Sequence, residues 1–108
     1  MTDIWRSFIA QRCLWALGRG LVFHSAEVVQ DRNEHDLLRD LKDEVPGYLG
    51  NEKLCAVLET VPLEEGPAAV SENLRRCYNA LADAGYFPAE ELGLVAAWIA
   101  DSVKAASA

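Results

Sequence analysis

His24, Glu27, Asp31 and His35 carry the side chains that bind divalent transition metals, and offsets of 3, 7 and 11 from the first would set all four on one stripe of an unbroken helix. The chemistry on offer would be that of a metal-dependent enzyme. The stripe, however, points away from the apolar face of its own helix, whereas metal sites in helical bundles project their ligands inward. The apolar pattern also slips by about one residue (~100°) near Asp31, which breaks the helix and scatters the four groups. No Glu-x-x-His pair, in that order, occurs in the chain. The cluster reads as a solvated polar face, and no metal is expected; an enzyme built on His24 and His35 is the least favoured of the readings weighed below.

Nucleophilic chemistry needs a serine or cysteine beside a base and a preorganised oxyanion site. Serines stand at 7, 25, 71, 102 and 107, without a Gly-x-Ser-x-Gly, and Cys13, Cys55 and Cys77 are widely spaced, with no Cys-x-x-Cys and no histidine nearby. Each cysteine has apolar neighbours and reads as a small buried hydrophobe in a reducing compartment. Gly18-Arg19-Gly20 lacks both the third glycine and the preceding strand of a phosphate-binding loop, so it reads as a helix stop. Asp101-Ser102 lies too near the terminus to resemble the serine of an acidic carrier protein. No catalytic residue and no cofactor is expected, and the chain is expected not to be an enzyme.

What remains is charge. The 108 residues carry a formal net charge of -7, which repels phosphate backbones and anionic lipid and favours a basic protein partner. The acids concentrate in the middle of the chain: Asp36, Asp40 and Asp43 recur at helical spacing as a solvent-facing ridge, followed by Glu44 and, further on, Glu64 and Glu65. These six are the candidate partner-binding residues.

The elements that must position these groups are helical. Thr2 or Asp3 caps a helix over about 4–17 whose apolar residues point nearly all round, which predicts burial of Ile9 and Trp15 in the core or against another subunit. A short helix near 21–30 and another near 33–44 follow, the latter with Leu37, Leu38, Leu41 and Val45 on its apolar face. Pro46-Gly47 and Gly50-Asn51 predict a loop, and Asn51 then caps a short helix carrying Leu54, Cys55 and Leu58 inward. A second loop spans 62–67. Val70, Leu74, Cys77, Tyr78 and Leu81 give the clearest helical period in the chain, with Gly85 at its end. Pro88 opens a last helix with Leu92, Val95, Ala96, Ile99 and Val103 facing inward.

The predicted fold is all-α, a single compact bundle of five or six helices over 1–108. Arg6 and Arg12 interrupt the apolar run near the N-terminus, so it is neither a secretory signal nor an interfacial membrane helix. A cytoplasmic protein without membrane or direct nucleic-acid partners is expected. The leading reading is a non-catalytic acidic binding module, an inhibitor of the kind used by cytoplasmic immunity proteins and antitoxins to dock a basic partner such as a toxin or nuclease. The alternative is a helical adaptor or oligomerisation subunit, possible as a homo-oligomer, completed through its apolar first helix.

Overall fold

A computed structural model describes residues 1–107. The class is as predicted, all-α, but among the described residues there are four α-helices instead of five or six: α1, Thr2–Ala16; α2, Leu37–Thr60; α3, Val70–Asp83; and α4, Ala89–Ala106. A one-turn 3-10 helix, Pro67–Ala69, leads into α3. Among the described residues no helix is long and apolar enough to cross a membrane.

Helix α3 is the hub and touches each of the other three. Its periodic face supplies Cys77, Tyr78 and Leu81 to a core shared with Ile9 and Cys13 of α1, Leu54 and Leu58 of α2, and Val61 and Phe87 from the connections. Trp5 stands edge-on to Tyr86 and Phe87, with ring centroids 5.1 and 6.2 Å away, in the T-shaped geometry that aromatic quadrupoles favour. Two helix ends close alike. Gly18 and Gly85 adopt positive φ, and the amides of Arg19 and Tyr86 reach back to the carbonyls of Leu14 and Leu81. The bond returns to the third-last helical residue, and glycine carries the left-handed turn without a Cβ clash.

Helix α2 departs most from expectation. Its N-terminus is set by Asp36, whose Oδ1 accepts hydrogen bonds from the amides of Leu38 and Arg39 at 3.1 and 3.3 Å. It then runs through the predicted loop, with Pro46 inside it, because distant side chains hold that stretch. Trp5 donates its indole N–H to Asn51 Oδ1 at 3.0 Å, Tyr86 donates its hydroxyl to the Gly50 carbonyl at 2.7 Å, and Gly47 is buried beside Met1. At the far end Arg12 donates to the carbonyls of Leu58 and Val61 at 3.1 and 3.2 Å, satisfying acceptors that a helix C-terminus leaves open.

The predicted helix near 21–30 is absent. Residues 19–36 have no regular secondary structure, and Val22, Phe23, Val28 and Val29 are exposed. An isolated turn is costly to nucleate, and its amphipathic face gains nothing unless it meets a core. Leu37, Leu38, Leu41, Val45 and Val103, expected to face inward, are also exposed, as is Trp15 at 54%. Ile9, by contrast, is buried as expected. Trp15 lies off the Ile9–Cys13 line that meets α3, and the aromatic residues of α1 that pack on the core are Trp5 and Phe8.

Candidate functional site

Helices α1, α3 and α4 diverge around a cleft of about 380 Å³. Helix α1 contributes Arg6 and Ala10, α3 contributes Leu74 and Tyr78 one turn apart, and α4 contributes Glu91, Leu94, Val95 and Trp98. The walls are mainly apolar, with one ion pair in which Arg6 Nη2 donates to Glu91 Oε1. Glu91 belongs to the first turn of α4, where a carboxylate complements the helix dipole. Its hydrogen bond raises the already high pKa of Arg6, so the guanidinium stays charged. Burial pushes the Tyr78 phenol up, against the opposing pull of Arg6, so it remains a neutral hydroxyl at neutral pH. Trp98 is 64% exposed and presents its indole to the opening.

This combination can hold an amphipathic ring. The indole offers an apolar, electron-rich face, while the ion pair offers a donor and an acceptor side by side without net charge. The sequence hides the site because its residues come from three helices. Trp98 and Leu94 do lie off the inward stripe of α4, and a tryptophan placed there is the one signal that could have drawn attention.

The predicted partner-binding carboxylates do not form one patch. Asp36 is the cap of α2; Asp40 pairs with His35 at 3.2 Å; Asp43 is exposed; and Glu44 accepts a hydrogen bond from the Tyr48 hydroxyl. Glu64 and Glu65 sit in the loop after the other end of α2. At 1.5 Å per residue that places the two groups on the order of 30 Å apart along the helix. Glu64 is drawn toward Arg76, 3.6 Å away. Because Asp36 caps the helix, Asp36→Ala should lower stability by about 1 kcal/mol while Asp36→Asn, which keeps the acceptor, should be nearly neutral. Urea midpoints of the two variants test this; equal losses would mean that charge, not capping, is what matters.

His24 and Glu27 approach to 3.7 Å, but with the 21–30 helix absent the four candidate ligands share no stripe. Among the described residues no three or more histidine, cysteine, aspartate or glutamate side chains are grouped to hold a metal ion.

Comparison with known proteins supplies what the geometry alone lacks. The family model of the STELLO glycosyltransferases matches residues 1–106, nearly the whole chain. No curated protein and no solved structure shows a significant match. The family match overturns the reading of a non-catalytic immunity- or antitoxin-type inhibitor, and with it the expectation that the chain is not an enzyme, since the family it matches is one of glycosyltransferases. Net charge and missing motifs do not separate a docking protein from a helical member of an enzyme family, because both can have the same composition. The chain belongs to the STELLO glycosyltransferases.

Proposed function

We propose that the chain serves glycosyl transfer by holding a neutral saccharide ring in the α1–α3–α4 cleft. Family membership supports the reaction class. The observation that carries the site is the exposed Trp98 indole beside the Arg6–Glu91 pair on an otherwise apolar wall. A pyranose has one face of C–H groups and a rim of hydroxyls; the face stacks on Trp98, while hydroxyls accept from Arg6 and donate to Glu91. The self-neutralised pair and the net charge of -7 favour a neutral sugar over the diphosphate of a sugar nucleotide.

The test is tryptophan fluorescence of a Trp15→Phe chain titrated with neutral oligosaccharides and, separately, with a sugar nucleotide. Saturable quenching by the oligosaccharide is expected, and calorimetric titration with the same oligosaccharide should show affinity falling about tenfold or more in Trp98→Ala, the equivalent of roughly 1.4 kcal/mol of stacking. Equal affinity in Trp98→Ala, or tighter binding of the sugar nucleotide than of any neutral saccharide, would remove the proposal.

A further inference from the structure

The N-terminal half of α2 carries an apolar face besides the one that enters the core. Leu38, Leu41, Val45 and Tyr48 recur at alternating spacings of three and four, the a and d positions of a heptad repeat, with Leu37 and Leu49 at its borders. All six are exposed, Leu38 at 79% and Tyr48 at 72%. At 3.6 residues per turn the row points roughly 140° away from Gly47, Leu54 and Leu58, the residues by which α2 is buried in its own chain. Helices α1 and α3 pack against α2 on that buried side and leave the heptad row open.

We infer that this row is the contact surface for a second copy of the chain, which pairs with it in parallel about a two-fold axis as a short two-stranded coiled coil. Spacing, area and charge select that occupant. A heptad row presents knobs that fit the holes of a helix with the same row, and an identical chain supplies one. The exposed surface of the six residues is roughly 700 Å², close to the ~800 Å² that each partner gives to a standard interface. The charges are self-complementary, because Lys42 at an e position and Glu44 at a g position flank the row on opposite sides. Parallel pairing sets the Lys42 flank of each chain beside the Glu44 flank of the other, whereas antiparallel pairing sets like beside like.

Closing the row strands no polar group. The Tyr48 hydroxyl donates to Glu44 at the rim, 3.1 Å away, so the ring can be covered while its polar end stays paired. The next a position is Glu52, charged and exposed, which limits the coil to about three turns. Residues 37–49 carry two basic and three acidic side chains, so the face itself holds little of the net charge of -7 that opposes association. The saccharide cleft is lined by the other three helices, and pairing leaves it open.

The experiment is sedimentation equilibrium of the full chain from about 1 to about 500 µM, where a monomer–dimer equilibrium with a Kd of about 10 µM is expected, the weak end for an interface of this area. Leu41→Glu should weaken association about thirtyfold or more. Its urea midpoint at the lowest concentration should stay near that of the wild type, because the change lies outside the core. Lys42→Glu and Glu44→Lys should each weaken association about threefold at low salt, and the double exchange Lys42→Glu/Glu44→Lys, which restores opposite charges across both flanks, should recover it. A chain that stays monomeric over the whole range, whether residues 21–29 fold back over the row or a different protein covers it, would overturn the inference. So would a dimer that Leu41→Glu leaves intact, or a double exchange no tighter than the single ones.

Discussion

Leu81→Ala is expected to cost about 3–5 kcal/mol, the upper part of the range for a fully enclosed leucine. Leu81 has no exposed surface and belongs to α3, whose backbone packs against all three other helices. Truncation therefore removes transfer free energy and leaves a void that α1, α2 and α4 would have to move together to fill. A domain of this size is stable by roughly 5–15 kcal/mol, so the variant should lose a large share of its stability, with a melting midpoint lower by roughly 15 °C. Leu94→Ala is the control: Leu94 is 66% exposed at the cleft, and its truncation should stay within about 0.5 kcal/mol. Urea denaturation of both chains decides; coincident midpoints would show that α3 is not the centre of the core.

How far the sequence could be read follows the range of the interactions involved. Helix α3 was legible because its period and its closing Gly85 are local signals that agree with the tertiary packing. Helix α1 was placed to within a residue or two for the same reason. Helix α2 was misread at Pro46–Asn51, where local signals point to a loop, because the groups that hold it helical, Trp5 and Tyr86, are 46 and 36 residues away. The reverse error occurred at 21–30, where an apolar period exists but no core meets it. Trp15 and Trp5 look alike in sequence; only the direction of α1 against α3 distinguishes the half-buried ring from the exposed one.

The candidate cleft shows the same limit more sharply. Arg6 and Glu91 are separated by 85 residues and Tyr78 lies on a third helix, so no spacing rule connects them. The acidic cluster, by contrast, was conspicuous in sequence and is largely engaged in local structure: a cap at Asp36, an imidazole partner for Asp40 and a phenol partner for Glu44. Density of one residue type along the chain therefore marked a helix cap, an exposed stretch of α2 and a loop, while the chemically mixed site arose where helices far apart in sequence meet.

The second large effect is expected at Asn73, the buried polar residue of α3, which is 1% exposed. Its Oδ1 accepts from the Glu64 amide at 3.0 Å and its Nδ2 donates to the Glu64 carbonyl at 2.8 Å. One side chain thereby satisfies both backbone groups of a loop residue and ties the α2–α3 connection to the helix that bears Leu74 and Tyr78 of the cleft. Asn73→Ala leaves both groups without their partner and should cost about 2–3 kcal/mol, limited by how far the loop can turn them to water. Asn73→Asp should cost more at neutral pH, because a buried carboxylate would face the Glu64 carbonyl instead of donating to it. Protonation restores a donor, so the substituted carboxyl has a pKa in the folded chain above its unfolded value. Stability carried by the protonated form is fully present below the unfolded pKa and is lost as pH rises through the folded one. The gap between Asn73→Asp and wild type should therefore narrow on acidification from pH 7 toward pH 4, whereas the Asn73→Ala gap should stay constant. Urea midpoints of the three chains across that interval measure it, and parallel pH profiles for the two variants would show that the paired hydrogen bonds to Glu64 do not hold the loop.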